Sequence, residues 1–207
     1  MNPCLLCMNP ISEVASWQSF FGLEKNKTLC ADCSKRFIRA DIKEEGMDER
    51  TALDAVHSLY EYDEAMRDWL HQYKFLQDVA LADVFAKELR GAFKNTDVIV
   101  PIPMHVERAR SRTFSHVETL LDAAKRPYKT FLAKTNAEVM GEKSKQQRLE
   151  MEKLFELVPG VKIEPITYRL VDDIYTTGTT LLQAATVLKA AGAARVEAVT
   201  LIRSMKK

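Results

Sequence analysis

The spacing of apolar residues changes several times along the chain, and each change marks an element. Around Val56, Ser58, Tyr60 and Tyr62 the pattern alternates, which predicts a half-buried strand. Over residues 63–75 the positions Met66, Trp69, Leu70 and Tyr73 recur at helical spacing. A second helix is predicted over 79–93, with Leu81, Val84, Phe85 and Leu89 inside and Gly91 near its end. Residues 98–103, Val-Ile-Val-Pro-Ile-Pro, form a continuous apolar run. Such a run suits a strand covered on both faces, with its prolines at or beyond the strand end. A helix over 114–124 and a strand over 130–133 follow, then a charged arm over 139–153. The last third reads as strand (168–175), turn (176–180), helix (181–191, closed by Gly192) and strand (196–202), a βαβ unit.

These elements predict an α/β protein with a mostly parallel sheet flanked by helices. The length of 207 residues allows one such domain and a small appendage, and 46% apolar with 29% charged residues excludes a disordered or fibrous chain. No apolar run approaches the roughly 20 residues that cross a bilayer, and no basic-then-apolar leader opens the chain, so a cytoplasmic protein without membrane insertion is expected. Residues 41–68 hold ten acidic and three basic side chains, and 42–50 reads as a solvated linker. The implied division is a module over 1–40, an acidic linker over 41–53 and the α/β domain over 54–207.

All four cysteines lie near the N-terminus, as Cys4-Leu-Leu-Cys7 and Cys30-Ala-Asp-Cys33. In a reducing compartment two such knuckles are expected to supply the four thiolates of a structural zinc site. Leu29, Phe37 and Ile38 are available as a miniature core, too small to fold without metal. The alternative is a redox pair or unligated thiols. A closed four-thiolate set leaves no coordination position for catalysis.

Residues 170–180, Leu-Val-Asp-Asp-Ile-Tyr-Thr-Thr-Gly-Thr-Thr, carry the most chemistry. Two acids, Asp172 and Asp173, stand at the carboxyl end of a buried strand, and the turn Thr176, Thr177, Gly178, Thr179, Thr180 leads into a helix. Open α/β sheets bind ligands at that edge, and a helix start offers unpaired amides and partial positive charge to a phosphate. Acids beside a phosphate need hydroxyls or a divalent cation to engage. A sugar diol with a phosphate at its other end meets both demands, with Mg2+ nearby. The plainer alternative is an ordinary helix cap.

This stretch resembles the phosphoribosylpyrophosphate (PRPP) motif of type I phosphoribosyltransferases. The resemblance implies that Asp172 and Asp173 bind the ribose 2- and 3-hydroxyls, that residues 176–180 hold the 5-phosphate, and that Mg2+ accompanies PRPP. A second resemblance spans almost the whole chain. The four-cysteine module, the 62–75 segment from Tyr-Asp to Lys-Phe, Val100-Pro-Ile-Pro-Met-His105 and the PRPP motif are similar to the ComF family of competence proteins, related to GntX-type proteins. The family's Arg-Gly-Phe-Asn-Gln signature corresponds here to Arg112-Thr113-Phe114-Ser115-His116, so its arginine and phenylalanine are kept and its other three residues replaced. By position the turn holding Met104 and Arg112 corresponds to the pyrophosphate loop, where Arg108, Arg110 and Arg112 can balance the leaving group or form a solvated basic face.

The ComF resemblance implies a protein that handles single-stranded DNA during natural transformation, with a DNA-uptake helicase and recombination proteins as partners. Residues 125–148 carry seven basic and two acidic side chains, and Phe114, Tyr128 and Phe131 lie close in sequence, a composition suited to a nucleic-acid strand. The aromatics serve equally as core. The alternative function is an active phosphoribosyltransferase transferring ribose 5-phosphate to an acceptor, with His105 and His116 as candidate bases.

Overall fold

The computed structural model describes residues 3–11, 27–45, 51–104, 114–135 and 154–204. Helix α1 (Ala31–Lys35) carries the second cysteine knuckle, and β1 (Arg39–Glu45) and β2 (Ala55–Glu61) follow it. Next come α2 (Glu64–Phe75), a 3-10 segment (Val79–Phe85), α3 (Ala86–Gly91), β3 (Val98–Pro101) and α4 (His116–Ala123). The chain then forms β4 (Leu132–Lys134), β5 (Phe155–Leu157), β6 (Thr167–Tyr175), α5 (Thr179–Ala190) and β7 (Arg195–Arg203).

The main sheet has the order β1-β2-β7-β6-β3, and every neighbouring pair in it is parallel except β1–β2. β4 and β5 form a separate antiparallel pair. β6 and β7 lie at the centre, which explains their continuous apolar sequences: Leu170, Val171, Val196, Val199 and Ile202 are almost inaccessible. One core contains Trp69, Tyr73, Phe85, Leu120 and Leu121 from the α2–α4 side with Val171 and Val199. The other contains Leu181, Ala184, Ala185 and Leu188 of α5 with Tyr168 and Leu170. The sheet therefore has a core on both faces and leaves its ends for ligands. The α/β class with a mostly parallel sheet and an N-terminal four-cysteine cluster is as the sequence predicts.

Several local expectations change. Residues 42–45, read as solvated linker, belong to the edge strand β1, and Leu53, also within the expected linker, is 1% exposed in the α5-side core. Charged residues mark solvent, but they are also what an edge strand carries to avoid further pairing. β1 has a register shift between Arg39 and Ile42, with Asp41 at φ +45° and bonded to His57. The helix expected over 79–93 splits into the 3-10 segment and α3. Asp78 takes the Ala80 amide, and Leu81 and Val84, three apart, suit the tighter turn. The strand expected over 130–133 is β4, and the 139–153 arm lies outside the described residues.

Candidate functional site

β6 delivers the acid pair. Successive strand positions face opposite sides of a sheet, so Asp172 and Asp173 diverge. Asp173 is 5% exposed and points towards α2, where Lys74 Nζ meets its Oδ2 at 2.5 Å. Asp172 is half-buried, and its Oδ1 accepts the Asp173 backbone N–H at 2.9 Å. Desolvation, then the neighbouring Asp173 charge, pushes the Asp172 carboxyl up to about 7; Lys74 and Lys134 act in the opposite direction. The two acids are neighbours along β6 and coupled electrostatically although they start from opposite faces, and Asp173 already has a cationic partner inside the protein.

The turn after β6 is exposed at Thr176, Thr177 and Thr179. Gly178 adopts φ +77° as N-cap of α5 and brings no side chain of its own to the helix start. The Thr177 and Thr179 hydroxyls share a 2.9 Å hydrogen bond, and Thr177 Oγ1 lies 3.4 Å from the Thr179 amide. Glycine is required here on two counts. Its φ is left-handed, and a Cβ would sit 2.4 Å from the Tyr175 hydroxyl oxygen. Tyr175 is in turn covered by the Arg203 guanidinium, 4.0 Å from its ring centroid. The result is a helix start on a left-handed glycine, its Thr179 amide turned to the Thr177 hydroxyl, beside two acids at the carboxyl edge of a mostly parallel sheet.

β3 lies next to β6, and Ile102 N–H donates to Val171 O. Met104, just beyond, is half-buried at the same sheet edge. Arg112, with His105, Arg108 and Arg110, lies outside the described residues. His116 is 5% exposed, its carbonyl accepts the Tyr73 hydroxyl, and its ring packs on Phe114 and Tyr73. As a general base it is misplaced: it belongs to the core.

The four cysteines converge, with all sulfurs within 4.8 Å of one another and Cys7 and Cys30 at 3.8 Å. A tetrahedral ion with metal–sulfur bonds of about 2.3 Å needs sulfur–sulfur edges of about 3.8 Å, so the cluster fits a structural metal. Burial raises the Cys4 thiol, but amides of Cys30, Cys7 and Leu6 outweigh it and hold Cys4 down at about 6. Burial and the neighbouring thiols push Cys33 up. The miniature core differs from expectation. Ile11 is buried with Cys4 and Cys33 and flanked by Leu6 and Leu29. Phe37 instead joins the main core, 5.0 Å from Phe85, and Ile38 is 50% exposed.

The aromatics considered for strand stacking are built into the fold. Phe114 packs on Tyr73, Tyr128 lies against the α2–α4 core, and Phe131 lies 6.0 Å from Tyr168. Arg126 is also structural, bonded to Arg90 O, Phe93 O and Asn95. Lys125 and Lys129 are exposed. The residues missed in the sequence are Lys74 and Tyr175. Lys74 follows a core tyrosine in α2, and only its contact with Asp173, 99 positions away, reveals it.

The molecule is thus an α/β protein with an N-terminal four-thiol cluster and a mostly parallel sheet, which carries an acid pair and a glycine-started helix at one edge. No protein-family model matches it. Competence protein ComFC of Streptococcus pneumoniae (strain ATCC BAA-255 / R6) is 32% identical over 221 aligned positions, covering 97% of this chain and 99% of the relative. Competence protein ComFC of Bacillus subtilis (strain 168) is 28% identical, covering 97% and 95%. The chain belongs to the ComFC family of competence proteins. Among solved structures, the allosteric regulatory enzyme of purine biosynthesis aligns with TM-score 0.40 and 24% identity over 57% of this chain and 25% of its own. A hypoxanthine phosphoribosyltransferase from Staphylococcus aureus aligns with TM-score 0.34 and 14% identity over 64% and 73%. Among the described residues no helix is long and apolar enough to cross a membrane.

Proposed function

We propose that the chain is a cytoplasmic, PRPP-binding competence protein that handles single-stranded DNA during natural transformation. The reading is carried by one observation: the acid pair of β6 stands beside the start of α5, with Gly178 bringing the backbone close. The amides and hydroxyls of 176–180 hold the 5-phosphate. Asp172 and Asp173 accept the ribose 2- and 3-hydroxyls, and Mg2+, when bound with PRPP, would add its charge to that of Arg112 at the pyrophosphate. Met104 borders that end of the site. Cys4, Cys7, Cys30 and Cys33 would hold zinc, which would organise the module and leave no coordination position for chemistry.

Exposed Lys125 and Lys129 give a strand's phosphates a place to bind, with salt-sensitive affinity. An uptake helicase and recombination proteins are the partners that membership of the competence family supports. The same sheet edge suits phosphoribosyl transfer, in which the acids and the turn would orient the ribose, and a divalent cation, when bound, would supply positive charge to the departing pyrophosphate. Calorimetric titration of the metal-loaded chain with PRPP and Mg2+ tests the sugar site, and micromolar binding is expected. Absence of heat and of any thermal shift overturns the reading. Release of pyrophosphate on adding acceptors separates turnover from binding alone.

A further inference from the structure

The 62–75 segment has no role in the phosphoribosyl reading, yet α2 sends Lys74 into the sugar site. The lysine and Asp173 side chains are 17% and 8% exposed and meet at 2.5 Å. An ion pair this well buried is a poor stabiliser, because apolar replacements of similar volume are commonly neutral or better. Its location gives it a different value. Asp173 adjoins Asp172, and two neighbouring carboxylates resist ionising together. A pair of uncompensated acids would also repel an anionic sugar phosphate.

We propose that Lys74 is the positioning residue of the sugar site: its ammonium fixes the Asp173 carboxylate and offsets one acid charge, so that the pair accepts hydrogen bonds from a vicinal diol on an anionic ligand. A carboxylate offers about four acceptor positions, so the lysine bond leaves room for ligand hydroxyls. The inference rests on the phosphoribosyl reading and makes Lys74 a determinant of selection for ribose over 2-deoxyribose. Lys74 acts through Asp173 and is not itself a catalytic residue. The Asp63 N-cap holds α2 in place, donating no charge to the pair but accepting the Met66 amide at 2.7 Å.

The test compares ribose 5-phosphate with 2-deoxyribose 5-phosphate by calorimetry on the full, metal-loaded chain. Wild type, K74M, K74R, D173N and the K74M/D173N double variant are measured. Wild type is expected to prefer ribose 5-phosphate by about tenfold or more, the scale of a hydrogen bond to a charged group. K74M reduces that preference to under about threefold, K74R restores most of it, and the double variant is no worse than D173N, as expected when one residue acts through the other. Should K74M fail to fold, the K74R, D173N and wild-type series still decides, because K74R must retain a preference that D173N loses. A K74M protein with undiminished preference, or a double variant with additive losses, overturns the inference while leaving the phosphoribosyl reading standing. Wild-type protein that binds neither sugar phosphate nor PRPP overturns both.

Discussion

The cysteine module and the carboxyl edge of the sheet carry the two candidate sites, and they are held together in opposite ways. Among the described residues of the module, Cys4, Ile11 and Cys33 form its own small buried cluster while Phe37 joins the main core, so a metal held by the thiols would supply much of the folding energy there. At the sheet edge, Leu170, Val171 and the strands beside them are buried on both faces, so the backbone of the turn is formed before anything binds. Under the proposed function, one site would be made by its ligand and the other is formed ahead of it. Preorganisation also has a cost there: an acid and an ion pair are kept in surroundings that disfavour charge.

The sharpest way to break the contrast is to remove the metal. Chelation should open residues 3–11 and 27–37 to protease and hydrogen exchange, because apparent zinc affinities of such four-ligand peptides are about 10–16 kcal/mol. The β6–α5–β7 unit should stay protected in the same exchange experiment. Loss of protection throughout the sheet would show that the two regions are one folding unit.

Gly178→Ala comes next. The new Cβ meets the Tyr175 hydroxyl and the residue is forced to positive φ, so PRPP affinity should fall by about tenfold or more, each 1.4 kcal/mol being a factor of ten. Metal content, read by colorimetric zinc release, should not change. Asp172→Asn separates binding from stability. The carboxyl is held up at about 7, so the native state binds that proton more tightly than the unfolded chain, and stability declines as pH rises from about 4 through 7. The variant should therefore match wild type near pH 4 and melt several degrees higher at pH 8. It should also lose PRPP affinity.

The smallest effect is expected at the joint between the regions. Asp63 Oδ1 accepts the Met66 amide, and Oδ2 accepts the Ile38 amide next to the cysteine module at 3.3 Å. Asp63→Ala should cost about 1 kcal/mol, seen as a few degrees in Tm. It should also speed exchange at both Ile38 and Met66.

The central βαβ unit was legible because its signals are local: continuous apolar strands, one glycine in a hydroxyl-rich turn, and a helix start. The same holds for the four cysteines, whose spacing specifies their chemistry. Lys74 was not legible, since a lysine following a core tyrosine in an amphipathic helix reads as solvated until the fold brings β6 beneath it. β1 was hidden for a related reason: its charges carry the signature of solvent, and only the open edge of β2 makes those residues a strand. Phe114 and His116 show the converse, because nearness in sequence to a loop of chemical interest did not keep them out of the interior.

The irregularity in β1 has a bearing on life in a crowded cell. An outermost strand that is kinked at Asp41 and studded with alternating charge makes a bad template for another chain. Should the cysteine module open on chelation, the sheet would still end in a strand that resists pairing with a second copy.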